Sequence, residues 1–122
     1  MYILFEQMLN QLEEAINDRI PVYKVSMASD NSSVAKAIDM QHLNKNNIVG
    51  DSIKLLTQLL YQFNTLTDIK FNVESKEYFN LLNITITADA KMIMIIIGPL
   101  TNDELNQIKE KASVTFSRLQ HK

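Results

Sequence analysis

Apolar positions along the chain follow two different periods, and the switches between them predict the elements. Phe5, Leu9, Leu12 and Ile16 recur at helical spacing, with Glu6, Gln7, Glu13 and Glu14 off that stripe, which predicts an amphipathic helix over about residues 3 to 17. Asn17-Asp18 stops it, and Pro21 cannot lie inside it because proline lacks the N–H and crowds the preceding turn. Tyr23, Val25 and Met27 then alternate with Lys24 and Ser26, the period of a strand with one wet face. Residues 28 to 47 are rich in Ser, Asn and Asp, with scattered apolar residues at Val34, Ala37, Ile38 and Leu43. They read as a loop with at most one irregular helical turn.

After Gly50 and Asp51 a second helix is predicted from about Ser52 to Leu66. Ile53, Leu56, Leu60 and Phe63 form one stripe, and Leu55, Leu59 and Leu66 form another beside it. Together they cover an arc of roughly 160°, wider than the roughly 100° that a helix lying on one core needs. The first stripe is assigned to the core and the second to a partner, although the sequence would also allow the two to be swapped. Three strands follow. Ile69, Phe71 and Val73 alternate with Lys70, Asn72 and Glu74, and Lys76-Glu77 turns the chain. Tyr78 to Thr87 is the next strand, clearest at Leu82, Ile84 and Ile86, and Ala88 to Lys91 turns again. Met92 to Ile97 is apolar at every position, so it belongs in the centre of a sheet covered on both faces, and Gly98-Pro99 is expected to end it. Thr101-Asn102-Asp103-Glu104 fits a capping box, opening a last helix with Leu105, Ile108, Ala112, Phe116 and Leu119 as its buried stripe. The order is α-β-α-β-β-β-α. No linker, repeat or low-complexity tract divides it, so residues 1-122 are expected to form a single domain. The clean alternation of Ile69, Phe71 and Val73, without proline, marks a strand that would pair with another chain if left as an edge.

Composition narrows the chemistry. The 122 residues are 46% hydrophobic and 21% charged, ordinary globular usage, which disfavours wholesale disorder. A formal charge of −2 with no basic stripe argues against nucleic acid as a partner. Lys109, Lys111, Arg118 and Lys122 lie toward the end of the last helix, where cations complement its dipole. The longest apolar run, Met92 to Ile97, is far short of the about 20 residues that span a bilayer, and Met1 to Phe5 lacks the flanks of a signal peptide. A soluble cytoplasmic protein is therefore expected, and the sequons at Asn31 and Asn83 are read as chance.

Catalytic and cofactor motifs are missing. With no cysteine there is no disulfide, thiolate metal site or cysteine nucleophile. His42 and His121 lie far apart and lack zinc-ligand spacing, so no metal is expected. Gly50 and Gly98 are the two glycines, too few for a phosphate-binding loop or a dinucleotide fingerprint. Glu13-Glu14 and Asp103-Glu104 are explained by a solvated helix face and a helix start. Met92 and Met94 read as core. No catalytic residue and no cofactor are expected, and protein–protein interaction is the better class.

The succession of helix, strand, helix, three-stranded meander and helix resembles the roadblock family of dynein light chains and their relatives. Residues 52 to 120 carry most of the likeness, and Asp18 to Ser26 is similar to the start of the first strands in the kinase-scaffold branch of that family, found in the Ragulator complex. The resemblance implies an α/β (α+β) fold with a central antiparallel sheet sandwiched by helices. It also implies a non-catalytic adaptor, working as a homodimer or as a heterodimer with another roadblock-like subunit. Such adaptors serve signalling scaffolds at endosome or lysosome surfaces, dynein cargo complexes or small-GTPase regulation, without inserting into the membrane. The interface it implies combines the second helix with the strand after it, here Leu55, Leu59, Leu66, Ile69, Phe71 and Val73. The family normally places two strands between its first two helices, whereas one is clear here. The competing class is a small acidic dimeric chaperone of secretion effectors, which typically has three strands before its middle helix and two after it.

Overall fold

The computed structural model describes residues 20–29 and 36–121, and the helix expected over residues 3 to 17 lies outside them. The described chain is α+β, a five-stranded antiparallel sheet with two helices. Strands β1 (Val22–Ser29) and β2 (Lys36–His42) come first, followed by helix α1 (Ile48–Leu60). Strands β3 (Leu66–Ser75), β4 (Asn80–Ala88) and β5 (Lys91–Leu100) follow in succession, and helix α2 (Asn102–Gln120) closes the chain. The sheet order is β2-β1-β5-β4-β3. β5 therefore lies in the middle, paired with β1 on one side and β4 on the other, as its two-sided apolar pattern requires.

Registration sorts the strand residues onto two faces. Tyr23 pairs with Ile97 and Val25 with Ile95, while Ile95 and Ile93 pair on their other side with Ile84 and Ile86. These residues form one buried cluster with Leu56 and Leu60 of α1 and with Leu105, Ile108, Ala112, Phe116 and Leu119 of α2. Both described helices thus lie on one face. Val22, Ser26, Leu81 and Ile96 have the opposite parity and are buried as well, at 0 to 2% exposure. On that second face Lys24 is only 5% exposed, between Met40 and Ile96, and burial lowers the pKa of its ammonium from the usual 10.5.

Several expectations are corrected. Residues 36 to 42, read as loop, are the strand β2, so two strands rather than one precede the middle helix. Both described helices pack on the same face, and the sandwich expected of three helices involves residues outside the described ones. The middle helix begins four residues earlier than expected and ends at Leu60 rather than Leu66. Thr57 Oγ1 donates back to the Ile53 carbonyl at 2.7 Å, and Phe63 and Leu66 beyond the helix end turn into the core. β5 does not stop at Gly98-Pro99 but runs on to Leu100. Gly98 suits that path, because a Cβ there would collide with the side chain of Leu81 on β4.

The local signals at the other boundaries act as expected. Thr101 Oγ1 accepts from the Glu104 N–H at 3.2 Å, and the Thr101 N–H donates to Glu104 Oε1 at 2.8 Å, completing the capping box of α2. Asp89 and Ala90 join β4 to β5 as a two-residue turn, both with positive φ, at 50° and 60°. That left-handed pair matches the twist of the strands it joins. The Asp89 carboxylate accepts from the Asn64 and Thr65 amides at 3.0 and 2.8 Å, tying the hairpin to the segment that leaves α1.

Candidate partner interface

Of the six residues expected at a partner surface, five divide between two places and Leu66 lies in the core. Leu55 and Leu59 are half-buried on the flank of α1, while Ser52, Leu56 and Leu60 point into the core. With Gln58 and Gln62 they form one wall of a groove whose other wall is Tyr23, Val25 and Met27 of β1 with Gln41 of β2. None of these eight lining residues is charged. The floor is apolar and the rim is amide. Such a groove suits another protein surface better than a charged metabolite.

Ile69, Phe71 and Val73 lie on β3 at the far edge of the sheet, with β5 and β4 between that strand and β1. Strands are spaced about 4.8 Å apart, so β1 and β3 are separated by roughly 14 Å. Sheet order thus keeps the helix stripe and the strand edge apart, where a single surface combining them was expected. Leu66 belongs to neither surface: it opens β3, is only 7% exposed, and its carbonyl accepts from Gln120 Nε2 of α2 at 3.1 Å.

β3 pairs with β4 alone among the described residues, leaving the backbone groups of its other side directed outward. Ile69 and Phe71 are half-buried under the helix layer and Val73 is 41% exposed. The alternate positions carry charge. Lys70 Nζ lies 3.8 Å from Asp68 Oδ2, and Lys76 Nζ lies 3.1 Å from Glu74 Oε1. Exposed pairs of this kind contribute little to stability.

Candidate chemistry does not converge in the described chain. His42 ends β2 and His121 follows α2, both exposed. Among the described residues no three of His, Asp and Glu come together as a metal site. Asn83, of the second sequon, is in the middle of β4 and only 9% exposed, where no glycan fits, and its Oδ1 has no hydrogen-bond partner among the described residues. No described helix is long and apolar enough to cross a membrane. The residues that sequence reasoning missed are those of β2, which contributes Gln41 to the groove. The available signal was the short alternation of Ile38 and Met40 with Asp39 and Gln41 inside a polar stretch. Comparison with family models, with curated proteins and with solved structures finds no match to this chain.

Proposed function

We propose that this chain is a non-catalytic dimeric adaptor of the roadblock type, holding protein partners together in a signalling scaffold of the Ragulator kind at endosome or lysosome surfaces. The observation that carries the reading is the edge strand β3, ten residues long, free of proline and open along one side among the described residues. Open strand edges gain affinity from main-chain hydrogen bonds with a second chain, which is the physics of an interaction module. Element order adds support. Two strands, a helix, three strands and a helix is the succession expected of the family after its first helix, and the strand that the sequence pattern lacked is β2. The same count weighs against a secretion-effector chaperone, which would carry three strands before the middle helix and two after it. The adaptor reading therefore rests on the edge strand and the uncharged groove.

The test is affinity purification of the tagged chain from its native cell, run beside Leu59→Glu, a change confined to the groove wall. Recovery of roadblock-like subunits or small GTPases, lost in Leu59→Glu while its circular dichroism matches the parent, is the expected result. Recovery of a secreted effector, or of no stoichiometric partner, overturns the reading.

A further inference from the structure

The link between β3 and β4 carries an exposed aromatic ring among carboxylates. The Lys76 N–H donates to the Phe79 carbonyl at 2.8 Å, which closes the link and leaves Glu77 and Tyr78 at its tip. Tyr78 is 75% exposed, the highest value among the large apolar side chains described. The tip lies beside the start of α2, because Asn80 pairs with Leu100, the last residue of β5. Asn80 Nδ2 donates to Asn102 Oδ1 at 2.8 Å and fastens the two segments together.

Two clefts share Tyr78, Phe79, Leu100 and Thr101 in their lining. One adds Pro99 and Glu104, and the other adds Lys76, Glu77, Asn80 and Asn102. Lys76 is the one cation in either lining, and its Nζ already lies 3.1 Å from Glu74 Oε1. Glu77, Asp103 and Glu104 have no ion-pair partner among the described residues. Asp103 and Glu104 occupy the first turn of α2, where the helix start offers only about half a positive charge against their two negative ones. A ring face rimmed by unpaired carboxylates attracts a cation, since the ring quadrupole and the charges act in the same sense. Guanidinium suits it better than ammonium, because it is planar, stacks on an aromatic face and forks onto a carboxylate. In the second cleft Asn102 has its oxygen held by Asn80, so it offers its NH2, a donor suited to a main-chain carbonyl.

We propose that the β3–β4 tip and the start of α2 form a docking site for an extended, arginine-rich segment of a partner protein, with a guanidinium stacked on Tyr78 and paired with Glu104. The site shares no residue with the groove on α1 and does not depend on the adaptor reading. An acidic segment or an anionic membrane surface is repelled by the same carboxylates. A proline-rich segment would use the ring without needing the charges, so the two classes of segment are separable by experiment.

Titration of the full, isotope-labelled chain with a short blocked peptide of alternating glycine and arginine tests the site, beside the same peptide with glutamine in place of arginine. The arginine peptide is expected to bind with a Kd of about 1 mM or tighter at low salt, and more weakly as salt is raised. Amide shifts are expected on residues 76 to 79 and 101 to 104. Tyr78→Phe keeps the ring and is expected to bind like the parent, whereas Tyr78→Ala weakens binding about fivefold. Glu104→Gln removes the charge yet keeps the capping box, because glutamine serves at that position, and is expected to weaken binding about threefold. Both changes together are expected to weaken it at least about tenfold. An arginine peptide that binds no tighter than the glutamine peptide, shifts that fall on the groove of α1 instead, or parental binding by Tyr78→Ala each overturns the proposal. Tighter binding of a polyproline peptide also overturns it and assigns the ring to proline recognition. Failure of peptide binding with native partner capture intact refutes this site alone. Peptide binding without any captured partner refutes the adaptor reading alone.

Discussion

β5 and β3 are equally long and stand two places apart in one sheet, yet one is buried from Ile93 to Gly98 while the other keeps half or more of its length in water. β5 has a strand on each side, and both of its side-chain parities are apolar. β3 has one strand neighbour among the described residues, keeps Ile69, Phe71 and Val73 toward the helices, and gives the other parity to Asp68, Lys70, Asn72 and Glu74. The difference follows from how many sides each strand must satisfy. A central strand buries all its polar backbone in the ladder and can be apolar throughout. An edge strand with the same composition would recruit any exposed strand it met. Charge is therefore placed where the backbone remains open, which discourages indiscriminate pairing.

The largest effect expected within this contrast is at the centre. Ile95 is fully buried between Val25 and Ile84 beneath the helices, so Ile95→Asp encloses a carboxylate with no cation opposite it on either neighbouring strand. A loss of about 4 kcal/mol or more is expected, comparable to much of the stability of a small domain. The measurement is chemical denaturation followed by circular dichroism, and a variant that unfolds at the parental midpoint would contradict the central placement of β5.

An intermediate effect, of opposite sign, is expected where β4 turns into β5. Ala90 holds φ at 60°, a conformation in which its Cβ is crowded and glycine is not. Ala90→Gly is expected to stabilise the fold by about 0.5–1 kcal/mol, read as a higher urea midpoint at unchanged slope. A lower midpoint would mean that the turn gains more from restricting the unfolded chain than it loses in the hairpin.

The smallest effect on stability belongs at the edge. Val73→Asp introduces a carboxylate like that of Ile95→Asp, but at a position already 41% exposed. Its unfolding free energy should stay within about 0.5 kcal/mol of the parent, read by the same denaturation experiment. A destabilisation as large as that of Ile95→Asp would erase the distinction between centre and edge.

Much of the architecture was legible because its signals are local. Thr101 and Glu104 lie three residues apart and cap α2 by themselves, and the unbroken apolar run in β5 can be satisfied only inside a sheet. Leu56, Leu60 and Phe63 face the core as their spacing indicates, although the helix ends before Phe63. β2 was not legible, since its alternation is brief and sits among residues typical of loops. Its pairing with β1 is decided by the partner strand more than by its own composition.

The amino-acid sequence by itself determined which residues are apolar, with what period, and in what order of charge along β3, because these depend only on neighbours a few positions away. Only the tertiary structure decided that Leu66 turns into the core, that α1 and α2 share one face, and that Leu55 and Leu59 lie at the opposite end of the sheet from Ile69, Phe71 and Val73. Those outcomes follow from strand order and helix placement, fixed by pairing between residues distant in the chain, and no period within a single segment encodes them.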